Sequence, residues 1–459
     1  MALPLEIRRI VAHYATGSVA EFKALVSAGV VDNHPLALSC LRLDFSNMVA
    51  AVGCIDAHLF AGVRRLKLSH TTNEDLASLV RLAPRVEALD LGRCINLNFW
   101  HTKLLSDLAG LRTLRMIDCQ NLGAQLNRVR DLDLIRCSNV GGDLRSLRRL
   151  KLHHCVLSDV QFSSKLRYFH LNGYLKVDRP GWSLCGMRAL CELHLTMCRS
   201  VTNEHASHIK HMQDLHTLTL LECEGLSDFA FLANLPKLRV LTVSSNFDWE
   251  MLLHLRLECF TAIGCGAFGV SGLHRLAAHS ELRVLRVHGR YSDEDPAQAL
   301  CDLLQCWPKL HTLDLSHWSH FLAKPRRAGL GLHPSVQRLT IDYCTWVHTH
   351  ELLILAYSFP NLEALSAKRT RIGDECLSEV CELGLKWREL CISGCVVTDQ
   401  GLSHLQGLPN LTRLGLSECD IRRADLLPLS ITELDVTRCT KLDPHSLQTL
   451  RARQVNIVM

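Results

Sequence analysis

The stretch from Val86 to Leu97 constrains this chain more than any other. Apolar residues sit at Val86, Leu89 and Leu91, Cys94 closes the pattern, and Leu97 begins the next turn. The same frame returns as Leu111, Leu114, Met116, Cys119 and Leu122, as Leu190, Leu193, Leu195, Cys198 and Val201, and as Ile431, Leu434, Val436, Cys439 and Leu442. An apolar frame recurring roughly every 20 to 30 residues marks a stacked repeat architecture. In an extended segment, side chains alternate faces. Leu89 and Leu91 therefore point to one side, and Ala88, Asp90 and Gly92 to the other. One repeat cannot bury its own apolar face, but neighbours stacked on it can, with their strands pairing in parallel. The expected fold is an α/β solenoid: a curved parallel sheet inside, helices and turns outside.

About 18 repeats begin at residues 63, 86, 111, 129, 147, 166, 190, 215, 238, 257, 282, 310, 336, 362, 387, 411, 431 and, weakly, Ala452. Leu38, Leu41 and Leu43 suggest one more at the front. The outer segments carry helix signals. Asp295-Pro296 supplies a cap and a proline at the first helical position. Residues 374 to 383 read as a helix stopped by Gly384, and 349 to 357 as a helix ending before Pro360. The repeats at 129, 147 and 238 leave no room for a full helix, so extended or turn-like returns are expected there. Phe321 to Pro334 reads as a protruding loop.

The chain carries 21 cysteines. Cys94, Cys119, Cys137, Cys155, Cys198, Cys223, Cys265, Cys344, Cys395, Cys419 and Cys439 all occupy the closing position of the frame. A small, mostly apolar side chain with a weak S–H donor suits a buried turn with carbonyls to satisfy. Leucine frame and cysteine position together resemble the cysteine-containing subclass of leucine-rich repeats. Val201-Thr202-Asn203, Leu226-Ser227-Asp228 and Val397-Thr398-Asp399 resemble that subclass's entry into its helix. The resemblance implies an intracellular protein-binding scaffold, and in that family the subclass often follows an F-box.

Residues 1–45 differ from the array of 46–459. Ile7, Ile10, Val11 and Tyr14 share one helical face, and Ser18 with Glu21 offers a capping box for a second helix. Two such helices form either a cap on the solenoid's open end or an F-box. Leu3-Pro4-Leu5-Glu6-Ile7 followed by Ile10-Val11 is similar to an F-box opening, although the tryptophan usual after the second helix is missing. The resemblance implies that Leu3, Pro4, Glu6, Ile7, Ile10 and Val11 dock a cullin-ligase adaptor.

Metal and catalytic chemistry find little support. A structural zinc site needs paired short spacings such as Cys-x-x-Cys, and the nearest pairs, such as Cys185 with Cys191, lie further apart. The histidines His205, His208 and His211 do not follow the order of a zinc protease and read as a solvated helix face. No phosphate loop, nucleophile elbow or kinase signature appears. No metal, cofactor or catalytic residue is expected, and the chain is read as non-enzymatic.

The open strand face is the candidate site. Residues 112 to 154 hold nine Lys/Arg against four Asp/Glu, an excess equal to the formal net charge of +5 for the whole chain. Arg115, Arg149, Lys151, His153 and His154 form a candidate basic patch for an acidic protein surface such as a tubulin tail. RNA is disfavoured because stacking aromatics are sparse. Leu221, Val240, Thr242, Ile263 and Val284 form a candidate partner-docking patch, since apolar groups on a solvated face need a reason. Two roles fit: substrate receptor of a cullin-type ubiquitin ligase, or structural component of a large assembly such as the axonemal or microtubule cytoskeleton or a ribonucleoprotein. With no apolar run of membrane-spanning length and no signal-peptide pattern, a cytoplasmic, cytoskeletal or nuclear protein is expected.

Overall fold

A computed structural model describes residues 42–45, 63–94, 103–120, 126–138, 140–173, 176–177, 184–244, 247–264, 269–289, 300, 302–318 and 331–459. The chain divides into two compact units, residues 1–237 and 238–459. Each is a leucine-rich-repeat solenoid.

The first unit contributes nine described parallel strands to its sheet, from Arg42–Phe45 and Arg65–Ser69 to Thr217–Leu221. The front repeat expected near Leu43 is present, because Arg42–Phe45 pairs with Arg65–Ser69. Alternation holds throughout: Leu89, Leu91, Leu114, Met116, Leu132, Leu134, Leu150 and Leu152 are all essentially buried. Burying a side chain of this size contributes about 1.5–3 kcal/mol, so each repeat is stable only with a neighbour on either side.

Two backbone devices recur at the strand ends. At the entry, two successive N–H groups share one carbonyl. Arg130 and Asp131 both donate to Arg112 O (2.8 and 3.0 Å), and Arg148 and Arg149 to Arg130 O (2.8 and 2.9 Å). This is the hydrogen-bond pattern of a β-bulge, which re-aims side chains. At the exit, one residue per repeat turns left-handed: His70, Arg93, Asp118, Arg136, His154, Met197 and Glu222 all have φ between 50 and 58°. The N–H groups of the first six bond the carbonyl ending the next strand, as in His154 N to Asn172 O at 2.9 Å. Every repeat thereby leaves its strand in the same direction.

The outer segments follow repeat length. Asn73–Leu82 is a helix with a reciprocal Thr72–Asp75 capping box. The short repeats at 129 and 147 return through the strands Val140–Asp143 and Val156–Gln161, which with Lys176–Val177 form a second, three-stranded parallel sheet. Extended returns rise more per residue than helices and fit the shorter loops.

The second unit contains ten described parallel strands, from Val240–Ser244 to Asn456–Val458. The weak last repeat is therefore present, pairing through Asn456–Val458 with Glu433–Asp435. Helices Gly269–Leu276, Thr349–Ser358, Asp374–Cys381, Asp399–His404 and Pro444–Ala452 form its outer layer. Gly384 takes φ 63° just beyond the third of these, as a helix stop should. The short repeat at 238 differs from expectation: its return is a 3-10 helix, Trp249–His254. Leu300 and residues 302–304 are helical, but Asp295-Pro296 and most of Phe321–Pro334 lie outside the described residues. Among the described residues no helix is long and apolar enough to cross a membrane.

Candidate docking surfaces on the open sheet face

The cysteines at the closing position hold the backbone of the preceding repeat. Cys119 Sγ approaches Leu91 O at 3.6 Å, Cys155 Sγ Leu134 O at 3.3 Å, Cys198 Sγ Leu171 O at 3.3 Å, Cys395 Sγ Ala367 O at 3.2 Å and Cys419 Sγ Ile392 O at 3.3 Å. Cys119, Cys155, Cys198 and Cys395 also reach the carbonyl two residues before them, as Cys198 does to Thr196 O at 3.1 Å. Burial pushes the Cys344 and Cys419 thiols up to about 12, so they remain protonated donors at neutral pH. The repeated cysteine is thus a structural donor along the turn. The histidines near residue 205 are likewise structural in part: His205 Nδ1 lies 3.0 Å from Thr202 Oγ1 at the start of helix Asn203–Ile209.

On the open face of the first unit, the third position of successive strands forms a charge-alternating row. Strand register places Lys67 beside Asp90, then Arg115, Asp133, Lys151, His170, His194 and Thr219 in turn. Arg115 lies 3.6 Å from Asp90 and 3.4 Å from Asp133. The basic patch read from the sequence is therefore not a continuous cationic surface. Arg115 and Lys151 each have a carboxylate-bearing neighbour, and Arg149 lies over the Tyr168 ring at 4.3 Å. His154 is not a strand residue but the left-handed exit residue (φ 52°), with its imidazole over Gly173, where an added Cβ would lie 2.2 Å away. Contiguous charges in sequence were separated by the repeat into different rows.

Imidazoles, not cations, dominate the centre of this face. His170 sits 4.9 Å from His153 and 5.6 Å from His194, ring to ring, and Tyr168 closes on His194 at 5.3 Å. Burial, reinforced by the neighbouring His153, His194 and Lys151, lowers the His170 pKa to about 4. The folded protein thus holds this ring neutral where an unfolded histidine binds a proton, below about pH 6.5. Its stabilising contribution is intact above that pH and is lost as the pH falls towards 4. The expected result is a urea-unfolding midpoint that drops from pH 7 to pH 5, with a smaller drop for His170→Gln. Equal drops for both proteins would remove His170 from the account.

No protein-family model matches the chain, and no curated protein matches it. Solved structures are similar in outline only. A leucine-rich-repeat protein of Leptospira interrogans is 14% identical, covering 94% of this chain and 98% of its own, at a TM-score of 0.39. An internalin of Listeria monocytogenes is 17% identical, covering 81% and 88%, at 0.36. A plant peptide hormone receptor, RGFR1 in complex with RGF2, is 14% identical, covering 88% and 72%, at 0.34.

In the second unit, the apolar candidates do lie on the open face but do not form one patch. Val240, Cys259 and Val284 are successive register partners in the first strand position. All three are half-buried. Thr242 lies in the third row beside Thr261, and Ile263, 39% exposed, in the fifth row beside Ser244 and His288. Positions one and five of a strand stand about 13 Å apart, so Ile263 is remote from the valine row. Leu221 belongs to the first unit, half-buried at the end of Thr217–Leu221 beside Thr196. The candidate patch reduces to Val240, Cys259 and Val284.

Further along this unit the open face forms a groove of about 470 Å³ with a floor of small residues, Ser366, Cys391 and Gly415. Its charged side is self-neutralised. Arg338 reaches Glu389 (3.1 Å) across Ala364, while Arg413 meets Glu389 and Glu433, both at 3.0 Å. Leu3, Pro4, Glu6, Ile7, Ile10 and Val11 lie outside the described residues.

What the sequence reading missed are Arg112, Arg130, Arg148 and Arg167. They stand one residue before successive strands, at the shared-carbonyl entry, and all are exposed. Their signal was present: arginine recurs at the same offset in four consecutive repeats.

Proposed function

We propose that the protein is a non-enzymatic scaffold that docks protein partners on the open faces of its sheets. The row Val240, Cys259 and Val284 supports this reading. Three adjacent strands present half-buried apolar or thiol side chains where solvated strand positions ordinarily carry polar groups, and covering such a row is favourable. The finer reading is substrate receptor of a cullin-type ubiquitin ligase, with the F-box-like residues 1–45 holding the adaptor.

The test is quantitative mass spectrometry of proteins co-purifying with the tagged full chain, Val240→Glu, and a deletion of 1–45. Val240→Glu is expected to deplete at least one abundant partner about tenfold, while the circular dichroism spectrum stays unchanged. Undiminished capture by the folded variant would reject the valine row. A cullin and its adaptor lost on deletion support the ligase role. Tubulin or ribonucleoprotein components retained after deletion support instead a structural part of a large assembly, with the N-terminal helices as a cap.

A further inference from the structure

We propose that the arginine ladder Arg112, Arg130, Arg148 and Arg167 of the first unit binds an acidic peptide segment, a run of aspartates or glutamates. The proposal does not depend on the valine row of the other unit.

The ladder is built into the backbone. Arg130 N donates to Arg112 O, Arg148 N to Arg130 O and Arg167 N to Arg148 O, each at 2.8 Å. The four side chains therefore leave adjacent strands, about 4.8 Å apart. All four are exposed. Arg112 turns towards backbone carbonyls, the nearest being Leu111 O at 3.3 Å. Among the described residues no carboxylate lies within 4 Å of the Arg130, Arg148 or Arg167 guanidinium, and Arg167 acts only from further away on Asp214, whose partner is Lys237 at 2.6 Å.

That absence is particular to these repeats. Elsewhere the same offset places an arginine beside a glutamate. Arg64 pairs with Glu87, Arg239 and Arg283 with Glu258 (3.9 and 3.7 Å), and Arg388 with Glu363 (3.8 Å). Like charges opposite one another in a sheet are unfavourable, and here they run uninterrupted. An anionic ligand supplies the missing counter-charges.

A groove of about 490 Å³ lies alongside, lined by Arg130, Arg148, Arg149 and Arg167 against the carboxylates Asp131 and Glu192. The cationic excess is at the rim and the carboxylates are in the next row, on the strands Asp131–Ile135 and Glu192–Thr196. A peptide crossing the strands at the rim meets guanidinium groups suited to bidentate carboxylate recognition. Nucleic acid fits less well. Single strands are held by bases stacking on open aromatic faces. The groove's tyrosine, Tyr168, is already stacked by Arg149 at 4.3 Å and approached by His194 at 5.3 Å.

The test is fluorescence anisotropy of a labelled deca-glutamate peptide with the full-length protein, with oligouridylate of matching charge as competitor. Saturable binding that weakens as salt rises is expected. The triple variant Arg130→Glu, Arg148→Glu, Arg167→Glu should lower affinity at least about tenfold, and the milder triple Gln variant should lower it in the same direction. Arg283→Glu, the same substitution at the same offset in the other unit, should leave affinity within about twofold. The triple Gln variant should melt no lower than wild type, because it removes the like-charge contacts, whereas the Glu variant exchanges one like-charge row for another. No saturable binding by wild type, wild-type affinity in the folded triple variants, or tighter binding of oligouridylate than of deca-glutamate would each overturn the proposal.

Discussion

Trp307→Ala should lower the unfolding free energy by about 3–5 kcal/mol, the range for removing a large aromatic side chain from a core. Trp307 is 1% exposed, and its indole N–H donates to Leu276 O at 2.9 Å. Leu276 ends helix Gly269–Leu276, so the indole ties the return segment of one repeat to that of the one before. Two losses combine: the cavity left by the ring, and a buried carbonyl without its donor, itself worth about 1–3 kcal/mol. Trp307→Phe separates them, keeping most of the apolar volume and losing the donor. Urea unfolding of the three proteins measures both quantities. A loss under about 1 kcal/mol for the alanine variant would mean that the outer layer collapses onto the vacancy.

Gly225→Ala is the second large effect, and it comes from one methyl group. A Cβ there would lie 2.4 Å from Val201 O and 3.3 Å from Arg199 O. Both are backbone atoms, so no side chain can swing away, and the turns of two stacked repeats must separate. Overpacking of this kind costs about 1–3 kcal/mol, occasionally more. Gly92→Ala is the matched control: its Cβ would meet Ser69 Oγ at an ordinary 3.6 Å. The expected outcome is a clear fall in melting temperature for Gly225→Ala and a change within about 0.5 kcal/mol for Gly92→Ala. Equal behaviour of the two would show that the turns near Val201 and Gly225 are not in close contact.

These effects arise between repeats, and that is where sequence reading loses its hold. Within a repeat it reads well. Leu89 with Leu91, Leu193 with Leu195 and Leu434 with Val436 are buried as their alternation requires. The helices Thr349–Ser358 and Asp374–Cys381 fall where their caps and breakers place them. Cys395 and Cys419 occupy buried turns and satisfy carbonyls. Each of these depends on period, cap or turn chemistry, all local to about 20 residues.

The site was legible only in part, for the same reason. Val240 and Val284 were correctly placed on the open face, because parity alone decides that. Ile263 was grouped with them although it stands at the other end of its strand. Arg115 was counted as free charge, yet it sits between Asp90 and Asp133, supplied by the repeats on either side.

By itself, then, the sequence determined the repeat, the buried leucines, the structural role of the cysteines and the face on which the candidate docking residues lie. Which of those residues are neighbours was decided by tertiary structure, because parallel stacking sets side by side groups some 20 residues apart in the chain. Stacking also decided which charges cancel. Alternation alone would have turned Arg130, Arg148 and Arg167 towards the leucine side of their strands. The shared carbonyl at each strand entry, a hydrogen bond made only once the preceding repeat is in place, leaves them exposed.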